Sequence, residues 1–171
     1  MRDPLLAAAR MALGFSMAAM AFVAVSSIAL APLVYGWRDA VLARVVAPGA
    51  TPPPEAIWAI VAVLLLTGAG AALGFLFFRH LYRIVATVGE GDPFVPANAE
   101  RLRAMGWIVV AVHLIVVPLA AIGAWLQTTM ERFHANISVS LGGLLLALVL
   151  FVLARVFREG TRLRAEVEGT V

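Results

Sequence analysis

Four apolar stretches, residues 11–34, 56–78, 105–126 and 137–157, occupy most of this 171-residue chain. A helix rises about 1.5 Å per residue and the hydrocarbon core of a bilayer is about 30 Å thick, so each stretch is long enough to cross a membrane. With 63% hydrophobic residues and a mean hydropathy of +0.97, the chain carries more apolar surface than a water-soluble domain of this size can bury. The polar residues that are left are too few and too scattered to build a second core. The expected fold is all-α, an integral membrane four-helix bundle forming a single domain over residues 1–171. Membrane lipid is its principal neighbour.

Orientation follows from the arginines, because basic residues near the ends of spans stay in the cytoplasm. All thirteen basic residues are arginine. With both termini inside, ten fall on the cytoplasmic side: Arg2, Arg10, Arg79, Arg83, Arg101, Arg103, Arg155, Arg158, Arg162 and Arg164. Three fall outside, Arg38, Arg44 and Arg132. Trp37, Trp58 and Trp125 then mark the outer rim, and Trp107 and Tyr82 the inner one, as amphipathic rings do in the headgroup layer. Lysine-free, alanine-rich usage fits a GC-rich bacterium, so the expected location is a bacterial cytoplasmic (inner) membrane. The first stretch follows Arg2 and Arg10 and ends in Ala29-Leu30-Ala31, but it is too long for a signal-peptide core and Pro32 would sit just after the cut. It reads as the first span.

The loops follow from turn chemistry. Trp37, Val41, Leu42, Val45 and Val46 put an apolar stripe on a short helix in the first outer loop, suited to the membrane surface. Pro48, Gly49 and Pro52-Pro53-Pro54 break it, and Pro54 and Glu55 suit the first turn of the second span. The second outer connection, 127–136, is brief and polar, making spans three and four antiparallel neighbours. The inner loop, residues 79–104, is the most informative polar segment. The second helix is expected to continue through Arg79, His80, Tyr82 and Arg83 until Gly89-Glu90-Gly91 stops it. Asp92-Pro93-Phe94 then turns, Asn98 is expected to cap the third helix, and Glu100 to lie in its first turn. Past the fourth span the cytoplasmic tail, residues 158–171, continues as a helix carrying Arg158, Arg162, Glu159 and Glu166 in alternating sign. Gly70 and Gly74, Gly14 and Ala18, and Ala120 and Ala124 have the spacing that lets helices approach closely. Pro118 is expected to kink the third span, and Gly142-Gly143 to thin or bend the fourth.

Chemistry is sparse. The absence of cysteine excludes disulfides, thiolate metal sites and cysteine nucleophiles. No aspartate or glutamate lies inside any span, which disfavours a carboxylate proton relay, a diaspartyl protease or an ordinary cation pathway. HExxH, GxSxG and glycine-rich phosphate loops are missing. These absences point away from an enzyme, and no catalytic residue, metal ligand or cofactor is assigned. His113 is the one ionisable group deep in a span. It reads either as a haem ligand, metal ligand or proton-coupled switch, or as a neutral histidine hydrogen-bonded across the bundle to Thr67 or Ser27. Haem would need a second axial ligand at that depth, yet His80 is at the inner surface and His134 outside. The basic tail ladder, Arg155 to Arg164, either attracts anionic headgroups or fixes topology. No aromatic-interleaved basic patch accompanies the sequence pI near 10.5, so direct nucleic-acid binding is not expected.

Gly91-Asp92-Pro93-Phe94, then Asn98, Arg101-Leu102-Arg103 and Gly106-Trp107, resemble the central signature of the YoaS-like group of small four-span bacterial membrane proteins of unknown function. Val156-Phe157-Arg158-Glu159-Gly160, Leu163, Glu166 and Thr170-Val171 are similar to the closing segment of that group. The chain departs from it at Glu168, where aspartate is usual, and at Gly169, where an apolar residue is. The resemblance implies a partner, since such proteins are often encoded beside a small helix-turn-helix transcriptional regulator. Both resembling segments fall on the expected cytoplasmic face. The functional expectation is therefore a non-enzymatic membrane protein that binds or sequesters such a regulator through Asp92, Phe94, Asn98, Arg101, Arg103, Arg158, Arg162 and Glu166. The competing expectation is a small transporter or lipid-binding subunit that uses a mid-membrane cleft around His113, Pro118 and Gly70. Arg101 and Arg103 at a helix start oppose its dipole, so Glu159, Glu166 and Glu168 of the tail are expected to meet them, with Phe94 packed back on the helix ends.

Overall fold

The computed structural model describes residues 4–46, 51–130 and 140–168. Among them are five helices and no strand: α1 (Pro4–Gly36), α2 (Arg38–Val45), α3 (Ala56–Gly89), α4 (Pro96–Thr129) and α5 (Leu141–Glu168). All but α2 are long and apolar enough to cross a membrane. The expected all-α class holds. Residues 131–139, which include the expected start of the fourth span and most of the second outer connection, lie outside the described residues, as do Arg2, Pro48 and Gly49.

The helices are longer than their apolar stretches. At 33, 34 and 34 residues, α1, α3 and α4 run about 50 Å each, well beyond the roughly 30 Å of hydrocarbon. In α1 and α4 the surplus is a leading end that carries arginine, Arg10 in one and Arg101 and Arg103 in the other. In α3 it is the trailing end from Arg79 onward, as anticipated. Pro32 and Pro118 lie inside α1 and α4, which run on through them.

The described residues divide into two compact units, one comprising residues 4–19, 73–111 and 140–168, the other 20–46, 51–72 and 112–130. In the first, α3, α4 and α5 enclose Ile84, Leu102, Met105, Val109, Ala147, Leu150 and Ala154. Small residues set the spacing here. A Cβ on Gly106 would fall 2.7 Å from Cε1 of Phe151, so α4 and α5 approach at that level only because the side chain is absent. The outward face of α5 is apolar as well: Leu141, Leu145 and Leu148 are 77, 62 and 58% exposed. In water that surface would be costly at about 25 cal/mol per Å2, whereas in lipid it is neutral.

In the second unit, Ala56, Leu126 and Met130 are buried with Leu42, Val45, Ala59, Ile60, Val63 and Ile122 packed around them. The apolar stripe of α2 therefore rests on protein through Leu42 and Val45. Glu55 precedes α3, its carbonyl accepting from Ala59 N at 3.0 Å, instead of lying in the first turn. The close approach of α1 and α3 occurs at Gly68, where a Cβ would meet Ile28 Cγ1 at 2.9 Å and the buried Ser27 at 3.4 Å. Gly14 and Gly70, expected to serve this purpose, have open space where a Cβ would go. His113 is half-buried on α4.

Candidate functional site

The segment between α3 and α4 is built from its turn residues. Gly91 has φ +89°, a left-handed conformation that costs other L-residues roughly 1–2 kcal/mol. Around it Asp92 N donates to Thr87 O at 3.2 Å and Gly91 N to Val88 O at 3.1 Å, the paired reverse bonds of a Schellman stop. A carbonyl in the last turn of α3 receives a second donor, since Arg10 Nη2 reaches Ala86 O at 3.2 Å beside the bond from Glu90 N. Gly89 makes room for it: a Cβ there would lie 2.7 Å from that same nitrogen. A cation at the carboxyl end of a helix is also favoured by the dipole.

Asn98 is fully buried, and its role differs from the expected one. The helix begins earlier, at Pro96, whose missing N–H suits a first helical position, so Asn98 is the third residue of α4 and not its cap. Its side chain turns back across the connection. Nδ2 donates to Thr87 Oγ1 at 2.8 Å and to Pro93 O at 2.9 Å, while Oδ1 accepts from Arg101 Nη1 at 2.8 Å. One amide thus ties the end of α3, the turn and the start of α4. Glu100 is displaced from the first turn for the same reason.

The distal part of α5 docks on this connection. Phe157, Gly160, Thr161 and Arg164 recur at helical spacing and present one face to it. The rings of Phe94 and Phe157 lie 5.3 Å apart, and a Cβ on Gly160 would be 3.0 Å from the Phe94 ring. Thr161 Oγ1 donates to Phe94 O at 2.9 Å. Arg164 Nη1 reaches Asp92 Oδ1 at 2.7 Å, and Arg158 Nη2 reaches Glu100 Oε1 at 3.2 Å. Phe94 packs back onto the helices, as expected, while staying 41% exposed.

Among the described residues, the expected pairing of Arg103 with Glu159 or Glu166 of the tail is not found. Arg103 Nη1 lies 3.9 Å from Glu100 Oε2, one turn earlier on its own helix. Glu166 pairs within α5, its Oε1 2.9 Å from Arg162 Nε, and Glu159 also faces Arg162 at 3.8 Å. Short i, i+4 reach within a helix outcompetes a pair that would have to order two long side chains across a gap. Arg101 satisfies itself on Asn98 and, at 3.4 Å, on Arg83 O. The side chain of Glu168 lies outside the described residues.

Asp92 and Phe94 therefore contact α5, Asn98 and Arg101 bind each other, Arg103 and Arg158 share Glu100, and Arg162 and Glu166 form a pair along α5. Sequence reasoning missed Thr87, Thr161, Arg164 and Arg10 as fasteners. Thr161 was findable, since it stands one helical turn after Phe157. Among the described residues, no group of three His, Asp or Glu could hold a metal ion.

An all-helical chain with four helices of membrane length and a structured polar face at their arginine-rich ends is a multi-pass membrane protein. It belongs to the family described as "Protein of unknown function (DUF2975)", whose model matches residues 45–171. No curated protein and no solved structure matches it.

Proposed function

We propose that this chain is a non-enzymatic protein of a bacterial inner membrane that holds a cytoplasmic regulator, a small helix-turn-helix transcription factor, against the face formed by the α3–α4 connection and distal α5. The observation carrying this reading is that the two segments are fastened into one pre-formed surface by Arg164–Asp92 at 2.7 Å, Thr161–Phe94 O at 2.9 Å and the Phe94–Phe157 ring contact at 5.3 Å. A rigid surface binds without first losing the entropy of ordering two loops. The exposed edge of Phe94 supplies an apolar anchor, and Arg103, Arg158, Arg162 and Glu166 a charged rim. The arginine bias supports a cytoplasmic orientation for this face.

The test is co-purification in mild detergent of the tagged chain with a helix-turn-helix protein encoded next to its gene, the neighbour that the resemblance to the YoaS-like group implies. Enrichment is expected over an unrelated four-span control, and its absence would sink the proposal. Reversing one fastener, Arg164→Asp, should weaken capture, and adding Asp92→Arg should restore part of it. A double variant that recovers nothing would separate binding from the joined face.

A further inference from the structure

Between α4 and α5 lies a cavity of about 400 Å3 lined by Arg103, Phe151, Ala154, Arg155 and Arg158. Phe151, Arg155 and Arg158 form one stripe on α5, spaced i, i+4 and i+7, and Arg103 and Trp107 a matching i, i+4 pair on α4. The charge is unbalanced. Glu100 is shared, 3.2 Å from Arg158 and 3.9 Å from Arg103, whereas Arg155 has no hydrogen-bond or ion-pair partner among the described residues. Three guanidiniums against one carboxylate leave a net charge of +3 − 1 = +2 around the cavity. Its wall is apolar. Phe151 meets Trp107 edge to face at 5.4 Å, and the Trp107 indole is largely exposed. Two turns and one turn before Arg155, α5 presents Leu148 and Val152, both more than half exposed.

We propose that this cavity binds the phosphodiester of an anionic glycerophospholipid, with an acyl chain lying along Trp107, Leu148 and Val152. Guanidinium forks match phosphate oxygens bidentately, and three of them converge here. A free phosphate shares that chemistry but leaves the adjoining apolar strip unused. A zwitterionic lipid brings a cation into an already positive site. Nothing in this inference depends on a regulator. The two sites share Arg103 and Arg158, while Arg155 belongs to the lipid site alone, so failure of one reading is distinguishable from failure of the other.

The experiment uses the full chain carrying Trp37→Phe, Trp58→Phe and Trp125→Phe, which leaves Trp107 as the sole tryptophan, excited selectively over the two tyrosines. It is reconstituted in phosphatidylcholine vesicles containing a minority of acyl-brominated phosphatidylglycerol or acyl-brominated phosphatidylcholine. The anionic lipid should quench Trp107 several-fold more effectively. Arg155→Gln should reduce that preference about fivefold, the factor expected for one juxtamembrane charge. Arg83→Gln, which removes an equal charge from α3 without touching the cavity, should leave it. Equal quenching by the two lipids overturns the proposal, and so does an equal loss in the Arg155 and Arg83 variants, which signifies general surface attraction. Protection against thermal unfolding in detergent by inorganic phosphate as strong as that by short-chain phosphatidylglycerol assigns the site to a soluble anion and overturns the lipid. Should the tryptophan variant fail to fold, native mass spectrometry of the otherwise unaltered chain and of Arg155→Gln reads the same preference as retained phosphatidylglycerol.

Discussion

Replacing Asn98 with alanine should be the most damaging single change in the polar face, because one buried amide closes three contacts. Its Nδ2 donates to Thr87 Oγ1 at 2.8 Å and to Pro93 O at 2.9 Å, and its Oδ1 accepts from Arg101 at 2.8 Å. A neutral hydrogen bond contributes about 1 kcal/mol net, so the two donors account for roughly 2 kcal/mol. The Arg101 bond would be worth more at full burial, but this guanidinium is half-buried and can turn to water, so we count it at about 0.5–1 kcal/mol. The expected loss is about 2–4 kcal/mol. For 171 residues at about 2.1 cal/mol/K each, the unfolding entropy is near 0.36 kcal/mol/K, which makes 3 kcal/mol a fall of about 8 °C. Thermal unfolding in detergent, followed by circular dichroism, measures it. Asn98→Asp keeps an acceptor for Arg101 but faces two oxygens with a third, and should do no better than alanine. Thr87→Val should cost less in the Asn98→Ala background than alone, since the partner has already gone. A melting point within about 2 °C of the parent for Asn98→Ala would refute the view that this residue ties the connection together.

Gly91→Ala should destabilise by about 1–2 kcal/mol through backbone strain alone, since φ is +89° and nothing lies within 4 Å of the added Cβ; Gly91→Asn, which tolerates this conformation, should cost less in the same melt. Gly106→Ala drives a methyl to 2.7 Å from the Phe151 ring and should cost about 1–3 kcal/mol, with Phe151→Leu restoring part of it if the clash is the cause. Phe94→Ser removes an aromatic pair worth about 0.5–1.5 kcal/mol beyond its buried area and should lower the melting point; an unchanged profile would assign Phe94 to partner contact alone.

The loop and tail show how far a sequence reaches. The stop after α3 was legible because Gly89-Glu90-Gly91 is a local signal: only a left-handed residue closes the reverse bonds that Asp92 and Gly91 make. Asn98 was legible as a polar residue with a structural duty, but the duty itself was not. Capping and bridging use the same side chain, and the choice turned on Pro96 starting the helix three residues sooner. For the tail, the expected docking beside the connection holds, yet among the described side chains the ion pairs that join the two segments, Arg164–Asp92 and Arg158–Glu100, are not the expected ones. Charge counts identify supply on each segment, whereas partner choice depends on helix rotation, which moves a side chain by about 100° per residue.

By itself, the sequence determined the all-α class, four helices of membrane length, the stop at Gly91 and the concentration of arginines at one set of helix ends, because hydropathy, turn chemistry and charge act locally along the chain. Tertiary structure alone decided that Gly68 and Gly106, and not Gly14 or Gly70, mark close helix approaches. It also decided that Arg164 takes Asp92 while Arg103 stays with Glu100, and that Arg155 is left facing a cavity. In so alanine-rich a chain, small-residue spacing recurs along α1, α3 and α4. Only the rotation of each helix against its neighbours selects which glycine is at a contact and which arginine has a carboxylate within reach.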